Sequence, residues 1–165
     1  MELFSQKKPV KLLLKPLNFN MDTHQTAEIY NAELINISNQ VDKASRLNQP
    51  DTTASAISII CGSEVTVDLK ITNNKVSDFG YEIAACALTK AAVAVMKFAI
   101  IGKTQQDIQD AANMLEFMLK HDGKILDGDW SGLQLLEPVK DYTARHNSIM
   151  LPFVAVEKAF NKTLA

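Results

Sequence analysis

Cys61 and Cys86, the two cysteines in 165 residues, have the widest chemical reach of any side chains in this chain. A thiolate attacks sulfur electrophiles and binds soft metals; the protonated thiol does neither well. Cys61 stands in Ile59-Ile60-Cys61-Gly62-Ser63. There a β-prone run meets a glycine that lets the chain turn, so the sulfur is expected near a sheet end. Cys86 is expected just inside the N-terminus of a long apolar helix, where unpaired N–H groups and the positive end of the dipole favour a thiolate. The competing reading makes both ordinary buried cysteines, since free cysteine is often a core residue. No Cys-x-x-Cys spacing decides for a metal. His146 offers an imidazole for metal or proton, and reads equally as a surface or helix-capping histidine.

The rest of the composition narrows the setting. Lys and Arg total 17 against 19 Asp and Glu, a formal net charge of -2. That balance argues against nucleic acid as a partner. No apolar run approaches the roughly 20 residues that span a bilayer, and Val10 to Leu14 is too short for a signal-peptide core. A cytoplasmic protein with reduced thiols and no membrane partner is therefore expected. Residues 1–20 are basic and interrupted by Pro9 and Pro16, so they read as a loose extension, a short edge strand, or a start misassigned ahead of Met21. Residues 21–165 read as one domain.

The elements that must position the thiols follow from periodicity. Ala27, Tyr30, Leu34, Ile37 and Val41 recur at spacings of three and four, predicting an amphipathic helix from Asp22 to about Val41, with Asp22 and Gln25 as a capping box. After the linker 48–53, Ala54 to Ile60 is β-prone. Glu64 to Thr72 alternates apolar and polar, as a half-buried strand does. Asn73-Asn74 then turns the chain into a partner strand over Lys75 to Ile83. Ala84 to Ile101 is apolar or small almost throughout, predicting a helix buried on most of its circumference. Gly102 ends it, and Thr104 caps a helix whose inner side carries Ile108, Ala112, Leu115 and Leu119. A loop from His121 to Gly132 follows. Pro138 suits a first helical turn, and a further helix over Ser148 to Phe160 must have Pro152 near its start or be kinked there. Together these give an α+β domain with a three-stranded antiparallel sheet and helices packed on it.

Several of these segments resemble the NifU/IscU-like family. Cys61-Gly62-Ser63-Glu64-Val65-Thr66-Val67 is similar to the family's Cys-Gly-Asp loop and following strand, and Ala85-Cys86-Ala87-Leu88-Thr89 to its second-cysteine helix start. Gly102-Lys103-Thr104 matches its boundary between two helices, and Ala144 to Phe153 resembles the region around its third cysteine. The likeness runs from about Met21 to Phe160 and implies the SufE/NifU-like fold. It implies a non-enzymatic scaffold that takes sulfur from a cysteine desulfurase, gathers iron, builds a transient [2Fe–2S] cluster and passes it to recipient apo-proteins. It also implies where the pattern is broken. The aspartate position holds Ser63, and the third cysteine falls on Ser148, preceded by Asn147. A serine hydroxyl is a poor iron ligand at neutral pH. Cys61, Cys86, His146 and either Ser63 or Ser148 are thus the candidate ligands.

Two thiols alone do not close a binuclear site, so the alternatives stay open. His146 supplies the missing donor, or a homodimer shares one cluster, or zinc takes the two sulfurs and His146. One thiol could instead accept sulfur to activate a desulfurase with no metal bound, or the chain could be a degenerate protein-binding paralogue. Leu136-Glu137-Pro138-Val139-Lys140 resembles the chaperone-recognition motif of some scaffolds. Asp127, Asp129, Glu137 and Asp141 read as a solvated acidic face, and Tyr142 and Arg145 as anchors for the loop bearing His146 and Ser148. Gly102-Lys103-Thr104 lacks the glycine-rich loop of a nucleotide site. A hydrolase built on Cys86 and His146 is disfavoured, since nothing indicates an oxyanion hole.

Overall fold

The computed structural model describes residues 29–121 and 127–165. The basic extension 1–20, the capping box at Asp22 and Gln25, and part of the loop after His121 lie outside the described residues. Helix α1, Ala32–Ser38, is shorter than the periodicity predicts. The Asn31 side chain accepts from the Leu34 N–H at 2.8 Å, so a fresh helix is capped in the middle of the apolar stripe. Leu34, Ile37 and Val41 are nonetheless buried, as their spacing requires.

The strands are β1 (Ala44–Ser45), β2 (Thr52–Ile57), β3 (Glu64–Thr72) and β4 (Lys75–Ala84). They form one antiparallel sheet in the order β1-β4-β3-β2. Among the described residues the sheet therefore has four strands where periodicity predicts three, because the two residues of β1 are too few to show a period. The β3 strand lies between β2 and β4, with Val67 opposite both Ala54 and Tyr81. Val65, Val67 and Leu69 are fully buried on one face. Asn73 and Asn74 both take positive φ, 52° and 61°, the backbone of the tight turn that matches strand twist and that asparagine tolerates.

One residue on the polar face departs from the alternation. Asp68 has no exposed surface, because the segment after β1 folds over it. Opposite Asp68 stands Gly80, where a Cβ would lie 2.7 Å from the Leu47 nitrogen and 2.9 Å from the Ser45 oxygen. Only glycine admits that close crossing. The buried carboxylate is satisfied by Arg46 at 2.6 and 2.9 Å, Thr53 Oγ1 at 2.6 Å and the Leu47 N–H at 3.1 Å.

Helix α2, Ala87–Ala99, is buried on most sides, as expected. Helix α3, Gln105–Lys120, opens with a complete capping box between Thr104 and Asp107. The segment Gly128–Asp141 is a run of 3-10 turns, and α4 spans Thr143–Thr163. Pro138 thus belongs to the 3-10 run and not to the start of the last helix, and Pro152 sits well inside α4. Trp130, Leu133, Leu136 and Val139 are buried at intervals of three, the repeat of a 3-10 helix. Leu136 and Val139 therefore serve the core, and the chaperone-like motif presents only its remaining residues. Helix α4 packs on β2 and β3 and against α2 and α3, placing the helices over the apolar face of the sheet. Among the described residues, no helix is long and apolar enough to cross a membrane.

Candidate functional site

The loop between β2 and β3 closes on itself: the Ser58 N–H donates to the Ser63 carbonyl and the Gly62 N–H to the Ser58 carbonyl, both at 2.8 Å. Gly62 adopts φ of 69° with open space around it, so its conformation, not crowding, calls for glycine. The turn aims Cys61 inward. Its Sγ lies 3.1 Å from Ser63 Oγ and 3.1 Å from Ser148 Oγ on α4. Both hydroxyls are buried, at 3% and 0% exposure, while Cys61 itself is half-buried.

This surrounding changes the thiol. Burial alone pushes the Cys61 thiol up, but the hydroxyls of Ser148, Ser58 and Ser63 and the Ser63 backbone outweigh it and lower it to about 6. Hydrogen bonds that favour the anion have this effect. At neutral pH Cys61 is mostly thiolate, the nucleophilic and metal-binding form.

Cys86 is the N-cap of α2, one position outside the helix where the sequence placed it just inside. Its own N–H donates to Ser63 Oγ at 3.2 Å, so both cysteines flank one hydroxyl. Its Sγ is 3.5 Å from Thr89 Oγ1. Burial raises the Cys86 thiol, but the Thr89 N–H and hydroxyl, the Ser63 hydroxyl and the Leu88 N–H bring it below the ordinary value. The first-turn donors expected from helix geometry are those that act.

Pro152 has a role here that the sequence did not disclose. It has no N–H to offer the carbonyl four residues back, that of Ser148. Thr89 Oγ1 donates to that carbonyl at 2.8 Å. The interruption in α4 thus becomes the tie between α4 and the start of α2, and it fixes Ser148 beside Cys61.

His146 has other partners. Its Nε2 lies 3.2 Å from the Val139 carbonyl and 3.0 Å from that of Lys140, joining α4 to the 3-10 run. Among the described residues, no three or more His, Cys, Asp or Glu side chains are grouped to hold a metal ion. Tyr30 feels burial first, then the charges of Cys86, Arg145 and Cys61, which places it and Arg145 within the field of both thiols. Of the acidic face, Asp129 pairs with Lys103 at 2.6 Å, while Asp127 and Asp141 are exposed. Ser58 and Thr89 were absent from the candidates, although each stands three residues from a cysteine, the reach of a local turn or helix-start hydrogen bond.

Comparison with known proteins bears on the same residues. The family model described as the NifU-like N terminal domain matches residues 29–147. The iron-sulfur cluster assembly scaffold protein IscU of Thermotoga maritima is 24% identical over 135 residues, covering 81% of this chain and 94% of its own. Among solved structures, a nitrogen-fixing NifU-like protein (N-terminal) from Brucella abortus superposes with a TM-score of 0.78 at 36% identity, over 83% of this chain and 95% of its own. A protein from Fervidobacterium islandicum AW-1, assigned as an iron-sulfur cluster assembly scaffold for the SUF system, gives 0.72 at 26% identity, over 81% of this chain and 98% of its own.

Proposed function

The chain belongs to the NifU-like N-terminal domain family, and on that premise we propose that it is an iron–sulfur cluster assembly scaffold. In this reading Cys61 receives sulfur, and Cys61 and Cys86 hold a transient [2Fe–2S] cluster as cargo before it passes to recipient apo-proteins. The single observation that carries it is the Cys61 thiol ringed by Ser58, Ser63 and Ser148 and lowered to about 6. The Cys61 thiolate attacks the outer sulfur of a persulfide on a cysteine desulfurase. A new S–S bond forms on Cys61, the donor's S–S bond breaks, and the donor cysteine leaves as thiolate. The transfer is redox-neutral and uses no metal. The chain acts here as an acceptor and carrier, and the catalyst is the desulfurase.

A second reading ends at that step: a sulfur acceptor that stimulates a desulfurase and binds no iron. It draws on the lack of a third grouped ligand among the described residues. Zinc held by Cys61, Cys86 and His146 is less favoured, because His146 Nε2 lies on two carbonyls.

Anaerobic incubation with a desulfurase, cysteine, iron and a thiol reductant separates the two readings. The scaffold reading expects visible absorption and bound iron in the wild type, their loss in Cys61→Ala and Cys86→Ala, and their retention in His146→Ala. Persulfide on Cys61 with no bound iron in any sample would leave only the second reading.

A further inference from the structure

The sulfur that a desulfurase hands over and the sulfur that a cluster contains differ by two electrons. A persulfide delivers sulfur at the oxidation level of the element, whereas the bridging atoms of a [2Fe–2S] cluster are sulfide. A reductant must act between the two. The site holds a second thiol beside the acceptor. Ser63 Oγ lies 3.1 Å from Cys61 Sγ and 3.2 Å from the Cys86 nitrogen, and its hydroxyl acts on the Cys86 sulfur as well. The sequence has two cysteines, and both are free, so within one chain the thiol that either can meet is the other.

Resting on the reading above in which Cys61 receives sulfur, we propose that Cys86 is the resolving thiol: it displaces the delivered sulfur from Cys61 as hydrosulfide and leaves a Cys61–Cys86 disulfide. The Cys86 thiolate attacks Sγ of persulfidated Cys61. A bond forms between the two cysteine sulfurs, and the bond from Cys61 Sγ to the outer sulfur breaks. The outer sulfur departs with that electron pair and the persulfide proton. Over the two steps, acceptance and release, the delivered sulfur gains two electrons, one from each cysteine. A dithiol reductant then returns the pair to thiols by exchange and becomes a disulfide itself, so the site is open again to sulfur or iron.

The two positions differ as the two roles require. Cys61 stands in a loop open to a sulfur donor: Ile59 and Ile60 before it are exposed at 98% and 60%, and Gly62 after it has open space around it. Cys86 instead packs against the hydrophobic core at the head of α2, with Thr89 Oγ1 3.5 Å from its sulfur. Attack at the inner sulfur needs Cys61 Sγ to stay beside Ser63, while the outer sulfur stands about 2 Å farther along the side chain, one S–S bond away. Metal does not compete within one chain by a full set of ligands. His146 Nε2 lies on two carbonyls, and among the described residues no third His, Cys, Asp or Glu joins the two sulfurs.

The test loads the full chain anaerobically with a cysteine desulfurase and equimolar cysteine, with no iron and no other reductant. Released sulfide is read by methylene blue formation, and the chain by intact mass and peptide mapping. The wild type should release sulfide in proportion to chain, become lighter by two hydrogens and yield a joined Cys61–Cys86 peptide, and dithiothreitol should restore its mass. Cys86→Ala and the closer replacement Cys86→Ser should keep an added sulfur atom on Cys61 and release at least tenfold less sulfide. A wild type that keeps the added sulfur without a disulfide, a disulfide that joins two chains, or equal sulfide release from the Cys86 variants would overturn the resolving role and leave sulfur acceptance standing. No added sulfur on Cys61 in any sample and no disulfide in the wild type would overturn both.

Discussion

Replacing Ser148 by alanine should make Cys61 a weaker acid without dismantling the fold. Ser148 Oγ lies 3.1 Å from Cys61 Sγ and, after the opposing effect of burial, is the largest contributor to a thiol lowered to about 6. A hydrogen bond to a charged group contributes about 1.5–3 kcal/mol, and about 1.36 kcal/mol corresponds to one pH unit. The midpoint should therefore rise to about 7–8. Near pH 7 the thiolate share falls from about nine-tenths to between about one-half and one-tenth. The assay is the pH dependence of iodoacetamide labelling, with Cys61 and Cys86 resolved by peptide mass. Linkage adds a second reading of the same shift. A thiol lowered on folding contributes stability that is full above the unfolded value of about 8.5 and is lost as pH falls through the folded value. The wild type should thus exceed Ser148→Ala in stability more at about pH 9 than at about pH 5. A variant midpoint still near 6 would refute the serine cage as the cause, and a wild-type midpoint near the ordinary thiol value would refute the activated Cys61 altogether.

Thr89→Val keeps the shape but removes the donor to the Ser148 carbonyl that Pro152 leaves without an N–H; a loss of about 1–3 kcal/mol for the unsatisfied carbonyl is expected in urea unfolding. Arg46→Ala removes two of the four donors around buried Asp68 and should destabilise by about 1–3 kcal/mol, seen as a lower urea midpoint with cysteine labelling at neutral pH unchanged. Ser148→Cys places a third thiol beside Cys61, and on the scaffold reading the iron retained per chain after reconstitution should rise above the wild type, read in native mass spectra.

Long-period features were legible in the sequence, and features shorter than their own period were not. Glu64 to Thr72 alternates over enough residues to fix both strand and face, and β3 has those bounds. The apolar run, broken only by Thr89, Lys90 and Lys97, gave α2 its central position, and the Thr104 cap was readable because its chemistry is local. Two-residue β1 has no periodicity to detect. Trp130, Leu133, Leu136 and Val139 do repeat, but at three residues, between the strand and α-helix periods, so the segment read as a loop followed by a proline-initiated helix. Cys61 and Cys86 were found from residue type and context, and the fold places both around Ser63. Ser58 and Thr89 were missed because hydroxyls are common and only their placement against a sulfur distinguishes them.

The serines at 63 and 148 also alter the meaning of the site. Considered as replacements for ligands, they are losses, and the pair of cysteines is a remnant. Their geometry argues otherwise: both are buried, both lie 3.1 Å from one sulfur, and no buried side-chain nitrogen or oxygen among the described residues lacks a partner. A pocket that had merely lost its metal would be expected to leave polar atoms unsatisfied, at a cost of about 1–3 kcal/mol each. Here the hydroxyls are employed in lowering a thiol, and Thr89 holds the Ser148 carbonyl in place. Where Ser148 Oγ donates across its 3.1 Å contact, it stabilises the thiolate without itself being a soft ligand. Within one chain, then, the buried serines around the β2–β3 turn hold Cys61 as a more acidic thiol.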